Sequence, residues 1–204
     1  AIACYHFAGA PIGGASVACL LLVLGFGLFG KSLINIWFIV AGVWLFARFV
    51  KKEPFAKHIN TAFFGAALAP IFTEILFSST LTLSTSLPMA AGTTLLLGFV
   101  LVPVAASLFK AHMGHTLYNI GWVAGIVGTV TVAVYKGYGF VPEPVFIWTS
   151  GNNRLLGGIL FGLFAAAAAL AFVLDREAGR KQAYLMRLGG RSPTDFVALA
   201  GIGP

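Results

Sequence analysis

The chain has 204 residues, of which 59% are hydrophobic and 9% are charged, with 13 Lys and Arg against 6 Asp and Glu. Soluble domains carry about 25% charged residues, so this composition excludes an ordinary water-soluble protein. The net charge of +7 does not indicate nucleic-acid binding, because the cations lie between apolar runs and form no basic stripe interleaved with aromatic residues.

Six apolar stretches predict an all-α integral membrane protein with about six transmembrane helices. Crossing a bilayer takes roughly 20 apolar residues in a helix, since lipid offers no hydrogen bonds to an open backbone. The stretches are residues 12–29, 33–50, 59–77, 88–109, 117–135 and 155–174. We expect residues 1–174 to form one multi-pass domain, with some spans broken or re-entrant. Residues 175–204 would form a basic cytoplasmic linker and the start of a further element.

The positions of the basic residues predict an orientation in the membrane. If the six spans alternate in direction, ten of the 13 Lys and Arg fall on one side and three on the other. The positive-inside rule places the larger group in the cytoplasm, together with both ends of this chain. Anionic lipid headgroups are the expected partners of these residues.

The third and fifth spans differ from the others because glycine and proline interrupt them. The third contains Gly65 and Pro70, the fifth contains Gly121 and Gly125, and Asn60 precedes Asn119 by 59 residues. Helices broken at corresponding positions of two repeats indicate a solute site in transporters. Alternatively, Gly121 and Gly125 form a GxxxG that lets two helices pack closely, and Pro70 only kinks its helix.

A tentative substrate-binding set follows from these two interrupted regions, residues 60–74 and 115–128. Glu74 is the only acid within an apolar run, and it would either serve an ion path or be an interfacial carboxylate. The full set is Asn60, Gly65, Pro70, Glu74, His115, Tyr118, Asn119, Gly121 and Gly125.

The sequence contains none of the catalytic motifs that would indicate an enzyme. There is no GxSxG, no HExxH and no phosphate-binding glycine loop, so we expect no catalytic residues and no cofactor. His112 and His115 would share one helix face but lack a third ligand nearby, and Cys4 and Cys19 form no CxxC, so we expect no metal.

Several strings together resemble an uncharacterised family of bacterial multi-pass membrane proteins, domain of unknown function 1576. HMGHTLYNIGWVAG at residues 112–125 resembles its HxGxxLYNxGFxAG signature, with Trp122 where members often have Phe. FGLFGK at 26–31, GVWLFA at 42–47, KEPF at 52–55, GAALAP at 65–70 and RSPTDFVALAGIG at 191–203 are similar to further elements of the family.

The resemblance implies a bacterial inner-membrane protein built of two similar halves, of which this chain is the first half plus the opening of the second. A missing second half of the same polypeptide is therefore an expected partner, as is a second copy in a homo-oligomer. The two-half build is similar to that of secondary transporters. We predict a transporter or channel for an unknown small solute or ion; the alternative is a non-transporting membrane scaffold or assembly subunit.

Overall fold

The structure is a computed structural model that describes residues 1–27, 31–78, 80–116, 118–140, 150–188 and 196–201. These residues form helices and turns, with no β-strand among them. The α-helices are α1 (Ile2–Ala8), α2 (Gly14–Phe26), α3 (Trp37–Leu45), α4 (Ile59–Gly65), α5 (Pro70–Leu76), α6 (Leu83–His112), α7 (Asn119–Gly137), α8 (Asn153–Leu174), α9 (Ala178–Leu185) and α10 (Phe196–Ala200). A π-helix over Phe46–Lys51 continues α3, and 3-10 turns at Phe55–His58 and Ala66–Leu68 flank α4.

Three of the described helices are long and apolar enough to cross a bilayer. They are α6 with 30 residues, α7 with 19 and α8 with 22, and a bent pair of helices makes a fourth if it is counted as one span. These apolar helices identify a membrane protein. Six complete crossings are not confirmed.

The first two predicted spans are helical but short. The 13 residues of α2 extend about 20 Å, against roughly 30 Å of hydrocarbon. Nine residues of α3 and six of the π-helix form the second stretch. Residues 28 and 29, at the end of the first predicted span, lie outside the described residues.

The chain divides into two compact units, of which the first contains α1 to α7 and the second contains α8 to α10. Within the first unit, α3 and α6 touch backbone to backbone at two glycines. A Cβ atom built on Gly98 would lie 2.1 Å from the carbonyl oxygen of Ile39. One built on Gly42 would lie 2.1 Å from the carbonyl oxygen of Leu95. Only glycine permits this separation of the two helices.

The third predicted span is broken, which is one of the two alternatives that the sequence leaves open. The segments Phe55–Leu68 and Pro70–Leu76 meet at an angle of 43°. Pro70 begins α5 and has no N–H to donate to the preceding turn, and the chain tightens to a 3-10 turn at Ala66–Leu68 before it. The break therefore follows from local chemistry.

Of the two alternatives for the fifth span, the break is wrong. Helix α7 is continuous from Asn119 to Gly137 and passes through Gly121 and Gly125 without interruption. Each of these glycines keeps its N–H, and glycine in a helix interior costs only about 1 kcal/mol relative to alanine. Without a proline, the fifth span has nothing to remove a backbone hydrogen bond.

Side-chain contacts define the helix directions in the first unit. Asn35, just before α3, contacts Thr73 in α5, and Asn119 at the start of α7 contacts Ala105 near the end of α6. Ser86 near the start of α6 bonds the end of α5. Consequently α3 and α6 run one way, while the bent span and α7 run the other. The end of the unit where α3 and α6 finish is called the basic end, and it carries Arg48, Lys51, Lys52, Lys57 and Lys110.

The second unit is dominated by α8, none of whose residues is buried among the described parts of the chain. After α8 the chain turns at Asp175, whose carboxylate accepts a hydrogen bond from the Glu177 N–H at 2.9 Å and pairs with the Lys181 ammonium at 2.5 Å. These bonds, that of Lys181 first, hold the pKa of Asp175 below its ordinary value. Of the predicted terminal element, only residues 196–201 are described.

Candidate functional site

Asn119 fastens the start of α7 to α6. Its Nδ2 donates to the carbonyl oxygen of Ala105 at 3.1 Å, and its Oδ1 lies 2.9 Å from His112 Nε2. The Nδ1 atom of His112 accepts the N–H groups of Gly114 and Thr116, so Nε2 carries the proton that is donated to Asn119. Both polar atoms of the Asn119 amide are thus engaged within the chain.

Asn60 fastens the start of α4 to α1. The Tyr5 hydroxyl donates to Asn60 Oδ1, and the Asn60 carbonyl oxygen lies 3.9 Å from the buried Cys19 sulfur. Tyr5 also stacks on Phe63, with ring centroids 6.0 Å apart. Asn60 and Asn119, which are 59 residues apart, therefore each bond a helix start to another helix, with different partners in each case.

Two further members of the tentative set shape the bent span. Gly65 is buried, and a Cβ atom on it would lie 2.4 Å from a methyl group of Leu101 in α6. Pro70 is half-buried at the first position of α5. Gly65 thus allows close packing, and Pro70 contributes to the bend.

The remaining members lie on the surface. Glu74 and His115 are exposed, and Tyr118 is 69% exposed. A Cβ atom on Gly125 would meet no atom within 4 Å, and one on Gly121 would meet only the Cβ of Tyr118 at 3.6 Å. The GxxxG face of α7 therefore packs against no described part of the chain. The tentative set does not form one enclosed site.

Sequence reasoning missed a polar pair beside the bend, the buried Asn35 and the half-buried Thr73. Asn35 is 2% exposed, and its Nδ2 donates to Thr73 Oγ1 at 3.0 Å. The backbone N–H of Ser32 donates to Asn35 Oδ1 at 2.8 Å. Thr73 immediately precedes Glu74 in α5. An asparagine in the otherwise apolar run LINIWFIV was the available signal for this pair.

A pocket of about 490 Å³ lies at the end of the first unit opposite the basic end. Tyr135 is part of its wall, and the Tyr135 hydroxyl is hydrogen-bonded to Thr93 in α6. None of the tentative residues lines it. The lining residues are Thr80, Leu81, Met89, Val134, Tyr135, Tyr138, Gly139 and Phe140.

No group of three or more His, Cys, Asp or Glu suited to a metal ion occurs in the described residues. At the basic end, Glu53 bonds His58 Nε2 at 2.9 Å and Lys57 Nζ at 3.4 Å. The hydrogen bond from His58 is the main reason why the pKa of Glu53 lies below its ordinary value.

Residues 1–137 match a sequence family described as "Protein of unknown function (DUF1576)". No curated protein and no solved structure matches the chain.

Proposed function

The chain belongs to the DUF1576 family of proteins of unknown function, and we propose from its own geometry that it carries a small solute across a membrane. The observation behind this proposal is the 43° break in the span formed by Phe55–Leu68 and Pro70–Leu76. In lipid, a broken helix leaves backbone groups without partners, so such breaks persist where they are buried in protein or line a solute path.

The chemistry around α5 supports the proposal. The buried Asn35 amide bonds the hydroxyl of the half-buried Thr73, and the exposed carboxylate of Glu74 follows on the same short helix. Buried polar groups in an apolar bundle require partners, and a passing solute can replace one such partner. The site proposed here is therefore α5 and Asn35, without the α7 residues of the sequence-based set.

The test is solute flux into vesicles containing the purified protein. A panel of urea, glycerol and glycine is followed by light scattering, and proton or sodium flux is followed with entrapped dyes. We expect flux of at least one solute above that of protein-free vesicles. Thr73→Val should reduce this flux at least tenfold, because it removes the hydroxyl that Asn35 contacts.

Thr94→Val is the matched control. Thr94 is a buried threonine whose hydroxyl bonds the Ala90 carbonyl oxygen within α6, and it lies on no broken helix. Its flux should equal that of the parent protein. Equal flux in both variants would rule out the α5 site. The absence of flux for every solute would rule out transport.

A second candidate function, a membrane assembly subunit, is favoured by the exposed GxxxG face of α7. Close approach of small-residue faces drives helix association in lipid, and Gly121 and Gly125 leave that face open. A second copy of this chain is the proposed partner. Gly125→Ile should lower energy transfer between labelled copies in vesicles, while Gly92→Ile, at an equally open position of α6, should not. Equal transfer in both variants would exclude this face as the contact.

The basic end is proposed to face the cytoplasm of a bacterial inner membrane, following the positive-inside rule. A cysteine introduced at Lys57, in a background with both native cysteines replaced by serine, should react with a membrane-impermeant maleimide only after the cells are opened. Reaction in intact cells would reverse the orientation.

A further inference from the structure

A small cleft at the basic end lies where α3 and its π-helix finish and the chain turns into the bent span. Its volume is about 280 Å³. Six residues line it: Trp44, Arg48, Lys52, Glu53, Pro54 and Phe55. None of them belongs to the proposed solute site, so an inference from this cleft stands or falls independently of transport.

The helix end builds the cleft. The π-helix over Phe46–Lys51 finishes at Lys52, which takes a left-handed conformation with φ 55°. The Glu53 N–H then reaches back to the carbonyl oxygen of Ala47 at 3.0 Å, and Pro54 continues in an extended conformation. This reversal of the chain brings Lys52 to the same cleft as Arg48, which lies in the π-helix.

The charges in the cleft are unequally compensated. The Glu53 carboxylate already bonds His58 and Lys57, which are on the far side of the turn in sequence. Arg48 and Lys52 form no ion pair with any residue that the structure describes. Two cations therefore remain available to an anion with several acceptor oxygens. The planar guanidinium of arginine binds two oxygens of a phosphate at once.

The surroundings of the cleft indicate a lipid. Trp44 is 45% exposed and meets the 67% exposed Phe49 edge to face, with ring centroids 6.2 Å apart. Tryptophan is enriched at the level of lipid headgroups, and lysine and arginine near helix ends reach toward them. An amphiphile can place a phosphate on Arg48 and Lys52 and its chains along Trp44 and Phe49.

We propose that this cleft is a binding site for the headgroup of an anionic phospholipid, with Arg48 and Lys52 holding the phosphate and Trp44 flanking the glycerol and upper acyl region. The site differs from general attraction of anionic lipid to a basic surface, because it requires two particular cations and a particular aromatic side chain.

The test is a titration of the purified chain in neutral detergent with short-chain phosphatidylglycerol, followed by native mass spectrometry. Parallel titrations use phosphatidylcholine of the same chain length and inorganic phosphate. The variant Arg48→Gln/Lys52→Gln should bind phosphatidylglycerol at least tenfold more weakly than the parent. Lys51→Gln/Lys110→Gln removes the same charge at the same end without touching the cleft, and it should bind as the parent does.

A third variant guards against misfolding. Lys52→Gly removes the ammonium and suits the left-handed backbone conformation at that position, so it should fold at least as well as the parent and still bind the lipid severalfold more weakly. Equal weakening in the cleft and control variants would overturn the site. Binding of phosphatidylcholine as tight as that of phosphatidylglycerol, or full displacement of the lipid by inorganic phosphate, would overturn its assignment to an anionic lipid.

Discussion

The crossing of α3 and α6 provides the sharpest test of the fold, through the variant Gly98→Ala. The new methyl carbon would lie 2.1 Å from the Ile39 carbonyl oxygen, well inside the ordinary contact distance of 3.4–4 Å. Because the obstacle is backbone, no rotamer change relieves the overlap, and the helices must separate along their contact. Overpacking of this kind costs up to about 3 kcal/mol, and the gain in helix propensity returns about 1 kcal/mol. We expect a net loss of roughly 2 kcal/mol in the free energy of unfolding.

The comparison variant is Gly92→Ala in the same helix, where a Cβ atom meets nothing within 4 Å. Gly92→Ala gains the higher helix propensity of alanine without any overlap, so it should be more stable than the parent by up to about 1 kcal/mol. Both free energies are measured by circular dichroism as sodium dodecyl sulfate is titrated into mixed micelles. If Gly98→Ala were as stable as Gly92→Ala, the backbone contact between α3 and α6 would be refuted.

Three other variants test single contacts. Asn119→Ala should lower stability by about 1–3 kcal/mol in the same titration, since it removes the hydrogen bonds to Ala105 and His112, and an unchanged midpoint would contradict these contacts. Gly65→Ala should lower the free energy of unfolding, because its new Cβ would overlap a methyl group of Leu101. Leu101→Ala removes that methyl group, so the double variant should lose less stability than the two single variants added together. Additive losses would contradict the contact between Gly65 and Leu101. Asp175 has a lowered pKa, so its turn should be fully protected from hydrogen exchange above about pH 4 and lose protection as the pH falls through the lowered folded-state value. Asp175→Asn should abolish that pH dependence, and its persistence would assign the effect elsewhere.

Local chemistry accounts for the parts of the fold that the sequence predicts. The apolar stretches are helical because lipid leaves the backbone no other partner. Pro70 breaks its span because it lacks an N–H, a property of one residue that needs no knowledge of its neighbours. Five of the seven Lys and Arg in residues 1–142 lie at one end of the first unit because the helices between them alternate in direction. Each of these features can be seen in a short window of sequence.

The features that the sequence does not predict depend on contacts between distant segments. Gly42 and Gly98 face each other across two helices, and no local pattern marks either of them as different from Gly92, which faces open space. The GxxxG at Gly121 and Gly125 has the local pattern of a packing motif, yet no described part of the chain packs on it. The spacing of glycines indicates that another helix can pack closely there, and only the tertiary structure shows which helix does so.

The half-buried Asn119 and the buried Asn35 show how the proposed site can be separated from structural contacts. Asn119 bonds α6 near the turn that joins it to α7, so its bonds hold together two continuous helices. Asn35 instead bonds Thr73, which lies on the short helix beyond the break. Rotation of α5 about the break would exchange the Asn35–Thr73 and Ser86–Leu76 hydrogen bonds and leave the backbone bonds of the long helices intact. A solute with a hydroxyl or amide group could replace the Thr73 hydroxyl at little cost, which is why the proposed site is placed at the break and not at the start of α7.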